Sequence, residues 1–205
     1  MAERQKYDYS DPTHLQLCIF KEKGIHNNTV TDLLNAWRDE LALYQIDIKL
    51  AKVTTWQRKS FFSEGIYQNL LRIPLRKPCD RMLILVDPKL ADFIWELFAP
   101  VTILGVVDGN THSRGYIIAK YYSLNQIFGA SPKATLVHEG YHLLGCGHAL
   151  FLTKCYKQIY NLKFLHKMNK RLGNSFLPAL REDGFSFLTR EEVNNYLKNK
   201  TKPQN

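Results

Sequence analysis

Three of the seven histidines of this 205-residue chain fall within the short segment HEGYHLLGCGH. His138 and His142 are four residues apart, so on a helix both imidazoles project from one face and can bind the same ion. Gly145 can end that helix in a left-handed conformation, and the turn after it can return His148 to the ion. Three imidazole ligands leave a fourth position for water, which is typical of catalytic zinc. The spacing therefore predicts a site for Zn2+.

Glu139 directly follows the first of these histidines and is the candidate for acid–base chemistry. It does not fully share the face of the two helical ligands, so its carboxylate is available to a water molecule at the open position. A carboxylate in that place can take a proton from the water as the water attacks a carbonyl, and can pass it to a leaving amine. Glu139 is therefore the predicted general base.

The residues that flank the motif predict where its helix begins and ends. Ser131 is a suitable N-cap, and Pro132 suits the first helical position. Gly145 suits the left-handed residue just past the end. These signals predict a helix from about 132 to 144.

The remaining segments predict an α/β (α+β) fold. Apolar and polar residues alternate at 14–21 and in DIKLAKVTTW, which predicts two strands, and NTVTDLLNAWRDELALYQ between them predicts an amphipathic helix. This β-α-β order favours parallel pairing. Three further strands are predicted in RMLILVD, VTILGVV and GYIIAKYY, and a short helix is predicted in LADFIWELF. The segment FFSEGIYQNLL fits either a helix or a loop. Near the C-terminus, Thr189 and Glu192 form a capping box before a closing helix.

Length and composition are those of one folded domain, predicted over residues 1–205 with flexible tails at about 1–12 and 198–205. No apolar stretch reaches membrane-spanning length, and no apolar region follows the N-terminal charges as it would in a signal peptide. We therefore expect cytoplasmic synthesis without a transmembrane segment. Delivery into another cell as an effector is a further hypothesis.

The positive charge is concentrated near the C-terminus. The chain has a net charge of +9, and residues 149–205 hold 11 Lys and Arg against 4 Asp and Glu, a net +7. Such a region can guide an acidic partner, a substrate or a membrane surface, or it can be a solvated face with a basic tail. No aromatic-interleaved basic motif or Gly-rich phosphate loop is present, so no nucleic-acid partner is expected.

The four cysteines show no CxxC pairing. For a chain made in the cytoplasm this predicts reduced thiols that fill the core. Cys146 and Cys155 lie within or soon after the histidine motif, so the alternative is that one of them approaches the metal.

The motif HEGYHLLGCGH resembles that of the metzincin clan of zinc metalloproteases. The resemblance implies a zincin-like (metzincin) fold, with a mixed sheet, an active-site helix and a C-terminal helical part. It implies an endopeptidase with Zn2+ on His138, His142 and His148 and with Glu139 as general base. The implied partner is a protein or peptide substrate, and the basic C-terminal region favours an acidic one by charge. The sequence has no signal for oligomeric state.

The resemblance also implies two structural features outside the motif. The family has a methionine in a tight turn below the zinc, and Met168 is the sole methionine downstream, so it is the Met-turn candidate. A helix continuing through YNLKFLHKM is the alternative. GYIIAKYY is the candidate for the edge strand that pairs with extended substrate, with a merely buried strand as the alternative.

Two departures from the family pattern stand out. Family helices commonly read His-Glu-hydrophobic-Gly-His, whereas here the middle pair is Gly140–Tyr141. Gly140 costs the helix about 1 kcal/mol relative to Ala, and Tyr141 requires different neighbouring packing. In addition, no Tyr shortly follows Met168 to support the transition state. Three alternatives therefore stay open: a zinc-binding interaction module without turnover, a zinc hydrolase of a non-peptide amide, and a basic scaffold in which the motif is accidental.

Overall fold

The computed structural model describes residues 4–59, 63–89, 104–120, 131–147, 153–180 and 186–201. After a 3-10 turn at Arg4–Lys6, the elements are β1 (Thr13–Lys21), α1 (Asn27–Ala42), β2 (Ile46–Thr55), α2 (Ser63–Arg72), β3 (Arg81–Val86), β4 (Gly105–Val107), β5 (Arg114–Ile118), α3 (Pro132–Leu143), α4 (Thr153–Arg171), β6 (Ala179–Leu180), β7 (Ser186–Phe187) and α5 (Arg190–Lys200).

The main sheet has five strands in the order β2-β1-β3-β5-β4, and β6 pairs with β7 in a small antiparallel ribbon. Strands β2, β1, β3 and β5 are parallel, and β4 runs antiparallel to β5. The predicted parallel β-α-β opening and the mixed sheet are thus confirmed. Of the two interpretations of GYIIAKYY, the edge strand is wrong and the alternative, a buried strand, is confirmed. Residues 115–118 belong to β5, which is buried between β3 and β4, so β4 lies at that edge among the strands that the structure describes.

Helices pack on both faces of this sheet because successive strand residues point to opposite sides. Helices α1, α3 and α4 share one apolar cluster with the inner residues of β1 and β3. Helices α2 and α5 pack on the opposite face. The apolar stripe predicted for α1 is confirmed, since its members are all buried: Val30, Leu33, Leu34, Trp37, Leu41 and, just past the helix, Tyr44.

Several local predictions can be compared with these elements. The segment FFSEGIYQNLL, which fitted a helix or a loop, contributes to α2. The capping box of Thr189 and Glu192 is present at the start of α5. The helix predicted in LADFIWELF lies outside the described residues. Tyr9 belongs to the predicted N-terminal tail, yet its side chain is buried and donates a hydrogen bond to the Tyr156 carbonyl. That tail is therefore anchored at Tyr9.

All four cysteines form disulfides, which corrects the prediction of reduced thiols. Cys18 in β1 bonds to Cys79 just before β3, and Cys146 after α3 bonds to Cys155 in α4. The sequence spacing did not predict these pairs because the tertiary fold alone brings the partners together. A bonded sulfur is no longer a thiolate, so neither Cys146 nor Cys155 is available as a metal ligand.

In the described part of the chain, no helix combines the length and the apolar character needed to cross a bilayer.

Candidate metal centre

The helix that carries the histidine motif has the predicted boundaries. The Ser131 hydroxyl accepts a hydrogen bond from the Ala134 amide, and Pro132 occupies the first helical position. At the other end Gly145 adopts φ +92°, as predicted. The amide of Gly145 donates to the His142 carbonyl (2.9 Å), and the amide of Cys146 donates to the Tyr141 carbonyl (3.1 Å). This pair of bonds is a Schellman motif, which reverses the chain directly after the helix.

His138 and His142 project side by side from α3, as their spacing predicted. Their Nε2 atoms are 3.2 Å apart, and the ring centroids are 4.8 Å apart with the rings edge to face. Two imidazole ligands of a tetrahedral zinc, each about 2.0–2.1 Å from the ion, have nitrogens about 3.3 Å apart. The observed separation of the two Nε2 atoms therefore fits a shared zinc ion.

The turn after α3 determines the protonation of His142. The Nδ1 atom of this ring lies 2.5 Å from the Cys146 carbonyl oxygen. A carbonyl only accepts, so Nδ1 carries the proton and the Nε2 of the neutral ring presents a lone pair. This is the arrangement of histidine ligands in metal sites, where the second ring nitrogen is hydrogen-bonded to a carbonyl or carboxylate. The donor set thus fits zinc in chemistry as well as in spacing.

The predicted third ligand, His148, lies outside the described residues. Among the residues that the structure describes, no group of three His, Cys, Asp or Glu side chains could hold a metal ion. The turn after α3 is described as far as residue 147, which directly precedes His148. His148 remains the sequence prediction for the third metal ligand.

Glu139 lies beside the histidine pair in an enclosed position. Its side chain is buried, and burial raises the pKa of its carboxyl group to about 7. A group with a pKa near neutrality can both accept and release a proton at neutral pH. Glu139 also lines a cavity of about 290 Å³, together with His142 and residues of β4 and the turn that follows it. The predicted base therefore faces a space in which a substrate group could lie.

Strand β4 approaches Glu139 so closely that one of its residues must be glycine. A Cβ atom added to Gly105 would lie 2.7 Å from the Cγ atom of Glu139 and 3.0 Å from its carboxylate. A Cβ atom does not come this close to a non-bonded carbon without displacement, so the absence of a side chain at Gly105 leaves the space that the Glu139 side chain occupies. The sequence analysis missed Gly105 because it did not reveal which strand crosses the site.

His112 is a second residue that the sequence analysis missed. It lies in the turn between β4 and β5, is buried, and has φ +49°. Its Nδ1 atom is 2.6 Å from the His142 carbonyl oxygen, so Nδ1 is the donor, and the ring lines the same cavity as Glu139. The turn sequence DGNTHSRG contains a histidine, which was the one available signal.

The Gly140–Tyr141 pair is explained by helix α1. A Cβ atom on residue 140 would lie 2.2 Å from the Trp37 indole nitrogen, so Gly140 lets α3 pack against this buried ring. The Tyr141 hydroxyl donates to the Glu40 carboxylate and lies 3.0 Å from the Tyr44 hydroxyl. The large ring of Trp37 in α1 thus requires a small residue at 140, and Glu40 of α1 and Tyr44 just past it are the polar partners of Tyr141.

Arg81 joins the last turn of α3 to a later segment. Its buried guanidinium donates to the carbonyls of Leu143 (2.7 Å), Leu177 (2.8 Å) and Pro178 (2.6 Å). Burial lowers the pKa of Arg81 to about 10, so the side chain still carries its positive charge at neutral pH. A cation at a helix C-terminus is favourable because the last carbonyls carry partial negative charge.

Met168 does not lie in a turn. It is inside α4, which continues to Arg171, and 42% of the residue is exposed. The Met-turn prediction for this residue is therefore corrected in favour of the alternative, a helix that continues through YNLKFLHKM. Met168 continues helix α4, whereas the expectation of a turn came from the family resemblance.

Comparisons with known proteins find likeness in solved structures and none in family models or curated proteins. No protein-family model matches the chain, and no curated protein matches it. Among 27 matching chains of solved structures is archaemetzincin from Methanopyrus kandleri, with a TM-score of 0.47 and 14% sequence identity over 72% of this chain and 94% of the other. The residues of the site, rather than this likeness, support the functional conclusion below.

Proposed function

We propose that the protein is a zinc-dependent endopeptidase with a single catalytic domain of the zincin-like, metzincin-type fold. The observation that carries this proposal is the pair of His138 and His142, with their Nε2 atoms 3.2 Å apart, beside the buried carboxyl group of Glu139. A structural zinc site would need no acid–base group in an adjacent cavity. A hydrolytic site needs one.

The proposed ligands of Zn2+ are His138, His142 and His148. When bound, zinc would polarise a carbonyl oxygen and lower the pKa of a water molecule. The hydrogen bond from His142 Nδ1 to the Cys146 carbonyl orients one ligand, and the hydrogen bond from His112 to the His142 carbonyl holds the backbone of the same residue.

Glu139 is the proposed general base. Its carboxylate takes a proton from the attacking water and afterwards delivers it to the nitrogen of the leaving amine. Burial raises the pKa of this carboxyl group to about 7, and the positive charge of a bound zinc ion would lower that pKa, which favours the carboxylate form that accepts a proton. Gly105 leaves the space in which this carboxylate lies.

The proposed substrate is an extended protein or peptide segment. Among the described strands, β4 lies at the edge of the main sheet, and it lines the cavity beside Glu139 and His142. A sheet edge can bind an extended peptide through main-chain hydrogen bonds. The net charge of +9 favours the approach of acidic substrates.

The first test is the zinc content of the purified protein and of three variants. We expect stoichiometric zinc in the wild type and in Glu139→Gln, and a clear loss in His142→Ala and His148→Ala. Absence of zinc from the reconstituted wild type would overturn the proposal and favour an accidental motif.

The second test separates the proposed peptidase from its alternatives. Cleavage of a peptide library by the wild type, but not by Glu139→Gln, would support an endopeptidase with Glu139 as base. Zinc binding without Glu139-dependent cleavage of any peptide would instead favour an interaction module, or a hydrolase of another amide. The Glu139→Gln variant is the matched control because glutamine keeps the size of the side chain and removes its basicity.

The two disulfides support a working environment that is oxidising, because such bonds are rare in the reducing cytosol. Export of the protein, including delivery to another cell, fits this condition. Alkylation of protein taken directly from its source cells measures the thiol state. Four blocked, unreactive cysteines are expected, and four alkylated cysteines would contradict the proposal.

A further inference from the structure

Helix α4 carries a row of exposed apolar side chains, which we call the α4 stripe. It consists of Tyr160, Phe164, Met168 and Leu172, which recur every fourth residue and so lie along one side of the helix and its C-terminal extension. Their exposed fractions are 36%, 55%, 42% and 83%. These four make up half of the eight large hydrophobic residues that are exposed in the described part of the chain. The metal centre uses none of them.

The same helix is strongly basic. Its sequence contains six Lys and Arg residues and no Asp or Glu. Lys157, Lys167 and Arg171 are exposed, and each is three residues from a member of the α4 stripe, so they flank it on the same surface. Lys167 lies 3.5 Å from the Asp11 carboxylate. In the described residues no carboxylate is within ion-pair distance of Lys157 or Arg171.

We propose that the α4 stripe docks the protein onto an anionic lipid surface. Apolar and aromatic side chains in a row, with Lys and Arg beside them, are the features of helices that lie in the plane of a membrane interface. The four stripe residues would enter the boundary between headgroups and acyl chains. The flanking basic side chains would extend along this boundary and bind anionic headgroups with their charged ends.

The dimensions and charges of this surface favour lipid over a protein partner. A stable protein interface buries about 800 Å² on each side, which four partly exposed side chains do not supply. A fluid bilayer needs no matching shape, and an anionic surface attracts all of the exposed basic residues together.

The test is co-sedimentation of the full-length protein with vesicles of phosphatidylcholine, with and without phosphatidylserine. We expect binding to the anionic vesicles alone, and weaker binding at high salt. The double variant Phe164→Ser/Leu172→Ser should bind at least ten-fold more weakly, because both halves of the stripe lose apolar area. Lys157→Gln/Arg171→Gln should weaken binding about 25-fold, at about five-fold for each charge removed.

The matched control is Leu43→Ser/Leu50→Ser. These leucines are 46% and 40% exposed but lie outside α4, so this variant should bind the anionic vesicles as the wild type does. Equal loss of binding in the control would overturn the proposal. So would a wild type that binds neither vesicle, or salt-sensitive binding that Phe164→Ser/Leu172→Ser leaves unchanged. This last result would indicate a charge-only surface, suited to an acidic protein.

Discussion

At the scale of the residue, His142 is the most constrained member of the proposed site. Its Nε2 faces His138, its Nδ1 donates to the Cys146 carbonyl, and its own carbonyl accepts from His112. The ring is thus oriented by the turn that ends its own helix. The carboxylate of Glu139 depends instead on a distant part of the chain, because Gly105 of β4 leaves the space that it fills.

Gly105→Ala should therefore damage acid–base chemistry without removing the metal ligands. The new methyl group would overlap Glu139, and a displacement of about 1 Å at a catalytic group can cost about 100-fold in rate. We expect a loss of peptide cleavage of that order with unchanged zinc content, measured on the same preparations.

Gly109→Ala is the control for this prediction. Gly109 lines the same cavity, but a Cβ atom there would have no heavy atom within 4 Å. Its cleavage rate should match that of the wild type. An equal loss of activity in both variants would show that the cavity, rather than the position of Glu139, is sensitive to added methyl groups.

At the scale of the element, the contact between α3 and α1 sets the position of the active-site helix. Gly140 faces the buried ring of Trp37, and Tyr141 is hydrogen-bonded to the carboxylate of α1 residue Glu40. At an exposed position in a helix, alanine in place of glycine would stabilise the helix by about 1 kcal/mol. Here the added methyl group meets the indole instead, so packing outweighs propensity.

Gly140→Ala should lower the free energy of unfolding by about 1–3 kcal/mol, the usual cost of overpacking a core. Urea denaturation measures this loss. Trp37→Leu should also destabilise the protein, because it leaves a cavity, but the double variant should lose less than the sum of the two. Additive losses would indicate that the methyl group and the indole do not compete for the same space.

Helix α4 is attached to the rest of the fold through a buried lysine. Lys163 donates to the carbonyls of Tyr9 and Tyr44, both at 2.6 Å. Burial lowers the pKa of Lys163 to about 8. Between this pH and the ordinary lysine pKa of about 10.4, the lysine is mostly protonated in the unfolded chain and mostly neutral in the folded chain. The contribution of Lys163 to the free energy of unfolding therefore rises with pH across this window.

Comparison of the wild type with Lys163→Met between about pH 7 and pH 10 isolates this contribution. The difference in their free energies of unfolding, wild type minus variant, should increase by about 1–2 kcal/mol in favour of the wild type, because solvent screening reduces the effect of the lowered lysine pKa. Urea midpoints at each pH provide the measurement. A difference that stays constant would mean that the lysine has its ordinary pKa in the folded protein.

At the scale of the whole molecule, the two disulfides close one long and one short loop of the chain. Cys18–Cys79 joins partners 61 residues apart, and Cys146–Cys155 joins partners 9 residues apart. A cross-link stabilises a protein mainly by restricting the unfolded chain, and the effect grows with the length of the closed loop. The long loop also ties β1 to the start of β3, across the centre of the sheet.

Cys18→Ala/Cys79→Ala should therefore lose about 4 kcal/mol in the free energy of unfolding, and Cys146→Ala/Cys155→Ala somewhat less, about 3 kcal/mol. Denaturation without reductant compares these variants with the wild type. Reductant should destabilise the wild type and leave a variant lacking all four cysteines unaffected. If reductant has no effect on the wild type, the disulfides are absent in solution.

The sequence by itself determined the features that depend on near neighbours. The boundaries of α3, the left-handed Gly145, the shared face of His138 and His142, and the parallel β-α-β opening all follow from short-range spacing and periodicity. The tertiary structure decided which distant segments meet. It selected β4 as the edge strand beside Glu139, brought His112 to the His142 carbonyl, paired the cysteines, and placed Trp37 against Gly140. Local patterns reflect backbone geometry within a few residues, whereas these contacts depend on how whole elements pack across the sheet.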